Sequence, residues 1–141
     1  MHLEPPRHQD TKRIEPIPVK LDGLARTVVD AAFKVHTELG PGLLESVYEI
    51  CLAHELRKRG LRVELQVALP ITFDEIRIDA GLRIDMLVES ELIVELKATE
   101  AHHPLYEAQL LTYLKLAKKR LGLLINFNVP RIRDGIKRIV L

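Results

Sequence analysis

The residues of this sequence best suited to chemistry are two acids and a lysine: Asp85, Glu95 and Lys97. They lie on two stretches of alternating side chains, 82–88 and 92–98, which are joined by only three residues. Short alternating stretches with so short a connection predict an antiparallel β-hairpin. A three-residue loop sets Asp85 directly opposite Glu95 and leaves Lys97 two residues further along the same face.

Two carboxylates that face each other across a sheet repel unless a cation lies between them. Lys97 could supply that positive charge by itself. A divalent metal ion bound by both carboxylates is the alternative, and oxygen ligands with few histidines favour Mg²⁺ or Mn²⁺ over Zn²⁺. The pattern therefore predicts either an ion cluster or a metal site.

The same register predicts that the opposite face of the hairpin is entirely apolar and forms its core side. The residues of that face are Leu82, Ile84, Met86, Val88, Leu92, Val94, Leu96 and Ala98.

The elements around the hairpin follow from the spacing of the remaining apolar residues. Steps of three and four residues predict helices, while alternation and short apolar runs predict strands. The predicted helices are 21–39, 43–59 and 105–119, and the predicted strands outside the hairpin are 61–67, 76–78, 121–128 and 136–141. This order predicts an α/β fold in which helices pack against one mixed β-sheet.

Length and composition place the chain among ordinary globular proteins. It has 141 residues, of which 47% are apolar and 29% are charged, with one cysteine and no run long enough to span a bilayer. We expect a flexible, proline-rich leader over 1–20 without a signal peptide, followed by a single domain over 21–141. These features predict a soluble, cytoplasmic protein that makes no membrane contact.

Positive charge is concentrated near the C-terminus of the sequence. Residues 115–141 contain eight lysines and arginines but one acid, Asp134. Such a segment could bind a polyanion. It could equally consist of solvated strand edges and a cationic helix C-terminus.

A third acid, Glu45, lies at the edge of the core-facing side of the second predicted helix. A carboxylate that loses water needs a partner. Tyr48 or a backbone group could satisfy Glu45, or Glu45 could belong to the same site as Asp85 and Glu95.

Four motifs together resemble those of a known superfamily. In chain order they are Gly42-x-x-Glu45-x-x-Tyr48, Asp85, Glu95-Leu96-Lys97 and Gln109-x-x-x-Tyr113. The first is similar to the pattern that names the GxxExxY family, and the others resemble the PD-(D/E)xK nuclease superfamily, in particular its branch with a Q-x3-Y helix. The resemblance covers 21–141, and it departs from the superfamily's name at Ile84, where that name has proline.

The resemblance implies a restriction-endonuclease-like core and a nuclease that uses Mg²⁺, or Mn²⁺, to hydrolyse nucleic acid, DNA in particular. It implies that Asp85, Glu95 and the Leu96 carbonyl bind the metal and that Glu45 completes or supports the metal shell. Some branches also place a metal-binding histidine upstream of the aspartate, and His36 is the candidate here.

The resemblance also assigns roles to the neighbouring side chains. Lys97 would orient or activate the attacking water and stabilise charge on the phosphate. Gln109 and Tyr113, spaced to share one helix face, would border the site and contact substrate or the lysine. His102 and His103 precede that helix as solvated residues or as phosphate contacts, and Tyr106 is suited either to base stacking or to core packing.

Two other functions are alternatives to the nuclease. A catalytically silent module could keep the fold and bind nucleic acid or assemble with partners, with the acids and Lys97 as a structural ion cluster. A small-molecule hydrolase lacks a nucleophile, because Cys51 lies mid-helix on the apolar side. The small size of the chain favours a homodimer for either nucleic-acid function.

Overall fold

The computed structural model describes residues 15–141, so most of the leader predicted over 1–20 lies outside the described residues. The helices are α1 (Val19–Leu39), α2 (Glu45–Lys58) and α3 (Pro104–Ala117), and the strands are β1 (Val63–Ala68), β2 (Ile71–Phe73), β3 (Ile76–Ile78), β4 (Arg83–Val88), β5 (Leu92–Lys97), β6 (Leu121–Asn126) and β7 (Ile136–Val140). A short 3₁₀ helix, Ile132–Gly135, precedes β7. None of the helices within the described range is long and apolar enough to cross a bilayer.

Five strands form one mixed sheet in the order β1-β4-β5-β6-β7. Strands β5 and β6 are parallel, and every other neighbouring pair in this sheet is antiparallel. The parallel pair needs a crossover connection, which α3 provides. The predicted α/β fold with a mixed sheet and flanking helices is therefore confirmed.

The sheet separates two apolar clusters. On one face Leu92, Val94 and Leu96 of β5 pack with α1 and α2. On the other face Ile93 packs with residues of α3. Side chains alternate along a strand, so the odd-numbered positions of β5, which include Glu95 and Lys97, belong to the α3 side of the sheet.

The predicted register of the hairpin is confirmed for three pairs: Met86 with Val94, Leu87 with Ile93 and Val88 with Leu92. The ladder of backbone pairs ends at Met86 and does not reach Asp85. The acids therefore lie where the two strands stop pairing through their backbones.

The predicted apolar face was wrong for Leu82 and Ile84, which join the α3-side cluster while Met86 joins the opposite one. The cause is a break in the neighbouring ladder. Leu65 pairs with Met86 and Val67 with Ile84, yet Gln66 and Asp85 between them do not pair, and Gln66 has a left-handed φ of 52°. Both strands change faces at this break, which alternation alone does not anticipate.

Other strand boundaries agree closely with expectation, with one omission. The sequence pattern did not identify β2, which pairs with β3 in a separate two-stranded hairpin between β1 and β4. Its three residues are too few to show a clear alternation.

The basic C-terminal segment is partly neutralised within the chain. Arg138 lies 2.7 Å from Asp22, Lys137 lies 3.8 Å from Glu107, and Arg131 lies 3.5 Å from Asp134. A fourth cation, Arg120, donates to the backbone carbonyls of Leu141 and Glu15. Only part of this segment is thus available to an anionic partner.

Helices α1 and α2 are joined by an ion-pair network centred on Glu55. Its carboxylate lies 3.0 Å from the Lys34 ammonium and 2.9 Å from Arg59 Nε, and Arg59 also contacts Asp30 at 2.8 Å. Hydrogen bonds from Arg59 and then Lys34 lower the pKa of Glu55 to about 2. The network therefore links the two helices through a carboxylate that stays ionised in acid.

Replacing this carboxylate should change how stability depends on pH. Because the folded-state pKa of Glu55 lies below its ordinary value of 4.5, its contribution is present above pH 4.5 and is lost as the pH falls toward about 2. Glu55→Gln should lower the melting temperature at neutral pH, and its difference from wild type should shrink across that acid range. Glu64→Gln, at an exposed position of β1, is the matched control and should melt like wild type; a Glu55→Gln difference that stays constant with pH would contradict the prediction.

Candidate active site

Asp85 and Glu95 each accept a hydrogen bond from the backbone of the opposite strand. The Asp85 backbone N–H donates to Glu95 Oε1 at 3.2 Å, and the Leu96 N–H donates to Asp85 Oδ2 at 2.9 Å. These side-chain hydrogen bonds replace the backbone pairs that are missing at the end of the hairpin ladder. They also bring the two carboxyl groups together, as the sequence predicted.

The environment of Glu95 opposes its ionisation. Its side chain is buried, with a residue exposure of 5%, and burial first, then the charge of Asp85, raises its pKa to about 9. Burial is also the main cause that raises the pKa of Tyr113 on α3, and the charges of Glu95 and Asp85 raise it further. Burial and mutual repulsion thus dominate the environment of the acid pair.

Lys97 does not neutralise the pair by direct contact. Its ammonium lies over the ring of Tyr106, 4.6 Å from the centroid. None of the ion pairs among residues 15–141 involves Lys97. It acts on Glu95 only as a smaller, opposing influence that lowers the pKa.

Glu45, the first residue of α2, joins the site from the helical layer. Partial burial first, then the charge of Asp85, raises its pKa, while Lys97 lowers it. Glu45 therefore lies within electrostatic range of both Asp85 and Lys97. A further acid, Glu49, lies one turn along α2 and also raises the pKa of Glu45.

A buried tyrosine fixes the turn that leads to Glu45. The Tyr48 hydroxyl donates to the Gly40 carbonyl at 2.6 Å and accepts from the Leu43 N–H at 3.1 Å, so it bridges both ends of the turn. Its ring stacks on Phe127 with 4.5 Å between centroids. Gly42, within the turn, has a left-handed φ of 97° that glycine adopts without strain. Tyr48 thus holds the backbone next to Glu45, and its hydroxyl bonds to backbone groups instead of to the Glu45 carboxyl.

Sequence reasoning missed Gln66, which connects two parts of the site. Its side-chain amide donates to Glu49 Oε1 at 2.8 Å and approaches Asp85 Oδ1 at 3.5 Å. The spacing of four residues from Glu45 could have identified Glu49. Gln66 gave no such signal, because a glutamine at a polar strand position is commonplace.

The remaining predicted site residues lie on or near α3. Gln109 is exposed and lines a groove of about 490 Å³ with Lys97 and Tyr106, whereas Tyr113 is buried one turn further along. His102 Nε2 lies 2.8 Å from Glu107, and His103 Nδ1 accepts from the Leu105 N–H at 3.1 Å to cap the helix. The two histidines thus contact the chain's own groups.

His36 contacts a different part of the molecule. Its Nε2 lies 2.8 Å from the Val129 carbonyl, and its ring is near Phe127. Within residues 15–141, no three histidine, cysteine or acidic side chains converge as a ready-made metal cluster. The possible ligands at the break in the hairpin are therefore two carboxylates and nearby backbone oxygens.

The fold and the order of these residues match a known family model. The model of the PD-(D/E)XK nuclease superfamily matches residues 22–139, which include every element that contributes to the site. The chain belongs to this superfamily. Its mixed sheet with flanking helices agrees with the restriction-endonuclease-like fold of PD-(D/E)XK proteins, and the superfamily indicates a nuclease that acts on nucleic acid, generally with divalent metal ions. No curated protein and no solved structure matches the chain.

The Tyr48 hydroxyl should stabilise the protein. Tyr48→Phe keeps the stacked ring but leaves the Gly40 carbonyl and the Leu43 N–H without their partner, so we expect the free energy of unfolding to fall by about 1–3 kcal/mol. Urea denaturation measures this change. Tyr106→Phe is the matched control, because no hydrogen bond of its hydroxyl is present among the described residues. Equal stability of Tyr48→Phe and wild type would show that the turn does not need the hydroxyl.

Glu95 should destabilise the metal-free protein at alkaline pH. Its folded-state pKa lies above the ordinary 4.5, so its favourable contribution is complete below pH 4.5 and is lost as the pH rises toward about 9. In the presence of EDTA, Glu95→Gln should therefore gain melting temperature relative to wild type across this interval. Thermal unfolding at several pH values tests this, and a difference that does not grow with pH would refute it.

Proposed function

We propose that this protein is a metal-dependent nuclease of the GxxExxY branch that hydrolyses phosphodiester bonds, with DNA as substrate. The observation that carries the proposal is the pair of buried Glu95 and half-buried Asp85, which forms no ion pair with any of residues 15–141 and lies on the same sheet as Lys97. Superfamily membership supports nucleic acid as the substrate class. The Gly42, Glu45 and Tyr48 spacing supports the branch, because these three residues build one turn and one acid of the site.

The donor set fits a hard divalent cation. Asp85 Oδ2 and Glu95 Oε1 each accept a backbone N–H, so Glu95 Oε2 and Asp85 Oδ1 are the oxygens that would bind a metal, and Gln66 contacts Asp85 Oδ1 only at 3.5 Å. The N–H and C=O of a strand residue point to the same side, so the Leu96 carbonyl faces the gap into which its N–H points. Oxygen ligands of this kind suit Mg²⁺ or Mn²⁺.

Glu45 would support this ion from α2, with Glu49 and Gln66 behind it. His36 is left out of the proposed ligand set, because its Nε2 contacts the Val129 carbonyl. A bound Mg²⁺ or Mn²⁺ would acidify a coordinated water and offset negative charge on the transferring phosphate.

Three side chains would bind the phosphate, contact the substrate and exclude water. Lys97 would place its ammonium near the phosphate and stabilise developing charge, since preorganised cations act strongly where water is excluded. Gln109, exposed in the groove beside Lys97, offers both a donor and an acceptor to substrate. Tyr113, buried against the acids, would help to exclude water from Glu95.

Removing either Asp85 or Lys97 should abolish cleavage while the fold persists. Labelled single- and double-stranded DNA and RNA are incubated with Mg²⁺ or Mn²⁺, and Asp85→Asn and Lys97→Met should each lose about 100-fold or more in rate. Asp74→Asn and Lys20→Met make the same chemical changes at exposed positions and should cleave like wild type. Isothermal titration should show metal uptake that vanishes in Asp85→Asn.

The same experiment identifies the competing function. Full activity in either site variant would refute the proposed mechanism. Nucleic-acid binding without metal uptake or cleavage would instead favour a catalytically silent module. The four nucleic-acid substrates also decide between DNA and RNA, and the homodimer is tested by the mass of the protein in solution.

A further inference from the structure

The ammonium of Lys97 rests on an aromatic ring although two acids lie nearby. It lies 4.6 Å from the centroid of Tyr106 and takes part in none of the ion pairs among the described residues. Yet Lys97 follows Glu95 by two residues on the same face of β5, so its charge is within electrostatic reach of the acids. A flexible lysine so close to acidic side chains would be expected to pair with them. The ammonium instead lies over a ring that belongs to α3.

The ring under the ammonium lies at the start of α3, beside two other rings. Tyr106 lies in the first turn of α3, where the side chain of His103 caps the helix. The rings of His102 and His103, which precede α3, lie 6.1 Å and 5.9 Å from the Tyr106 ring, the first in an edge-on arrangement. His102 in turn contacts Glu107. The Tyr106 ring is therefore an aromatic platform with two further rings beside it.

The electron-rich face of an aromatic ring attracts a cation without neutralising its charge. An ion pair with Asp85 or Glu95 would instead consume the charge of the lysine and occupy the carboxylates. The position of Lys97 on the ring also places it in the groove lined by Gln109 and Thr112, which is open to solvent. There the ammonium is accessible to an anionic substrate.

We propose that Tyr106 is a positioning residue that holds the Lys97 ammonium on its ring and away from Asp85 and Glu95. This arrangement keeps the acids available for a divalent cation and keeps the positive charge available for phosphate. The proposal rests on the proposed function and adds to it a residue outside the motifs that the sequence analysis identified as the site.

Metal affinity tests the role of the ring without relying on activity. MnCl₂ is titrated into wild type, Tyr106→Phe and Tyr106→Leu by calorimetry. Tyr106→Leu removes the platform and allows Lys97 to compete for the acids, so its affinity for Mn²⁺ should fall by about tenfold. Tyr106→Phe keeps the aromatic face and should bind Mn²⁺ like wild type.

A double variant separates competition by Lys97 from general damage to the site. If Lys97 causes the loss, Tyr106→Leu combined with Lys97→Met should bind Mn²⁺ as tightly as Lys97→Met alone. If the double variant stays as weak as Tyr106→Leu, the ring supports the fold of the site and the proposal is overturned. Unchanged Mn²⁺ affinity in Tyr106→Leu would overturn it as well.

The position of the ammonium can be observed directly by NMR of the lysine ε-methylene groups. The Lys97 signal, assigned by its absence in Lys97→Met, should be shifted upfield by the ring in wild type and Tyr106→Phe, and unshifted in Tyr106→Leu. An unshifted signal in wild type would refute the positioning role even if the protein binds metal. A shifted signal in a wild-type protein that takes up no Mn²⁺ would refute the proposed function, and with it the purpose assigned to the ring.

In kinetic assays, Tyr106→Leu should lower kcat more than it raises KM, because the substrate's remaining contacts persist while the lysine is misplaced. Tyr106→Phe should restore kcat. A change confined to KM would contradict a role that acts through Lys97.

Discussion

The whole site depends on a break in the β-ladder at Asp85. The β1–β4 ladder is interrupted there and the β4–β5 ladder ends one residue earlier, so the side chains of Asp85 and Glu95 bond to the backbone of the opposite strand in place of the missing partners. This exchange brings a half-buried and a buried carboxyl group together, at an electrostatic cost that appears in the raised pKa of Glu95. The proposed divalent cation is the charge that this arrangement lacks.

Packing on both faces of the sheet positions the strands around that break. Apolar residues cover both faces of β5, so its position relative to α2 and α3 is set by packing. Each helix then contributes from its first turn or just before it: Tyr48 fixes the turn that precedes Glu45, and the capped start of α3 presents Tyr106 to Lys97. Glu95, Lys97 and Tyr106 all lie on the α3 side of the sheet, and the ring keeps the lysine ammonium from pairing with the acids.

The sequence predicted the facing acids and the mixed α/β fold, because hairpin register and helical periodicity are local properties. It did not predict that Leu82 and Ile84 pack on the opposite face from Met86, since the change of face originates in the left-handed conformation of Gln66 on a different strand. Gln66 as a site residue was missed for the same reason: its contacts depend on long-range pairing. The contact between Lys97 and Tyr106 likewise depends on how α3 packs against the sheet, and residue spacing does not predict that packing.

The most direct test of the central claim is a crystal structure of the protein grown with MnCl₂, with anomalous diffraction used to locate the ion. The account predicts one strong Mn²⁺ peak within bonding distance of Asp85, Glu95 and the Leu96 carbonyl, with the Lys97 ammonium still on Tyr106. An empty gap between the two carboxylates at saturating Mn²⁺, or a gap filled by the Lys97 ammonium, would contradict it.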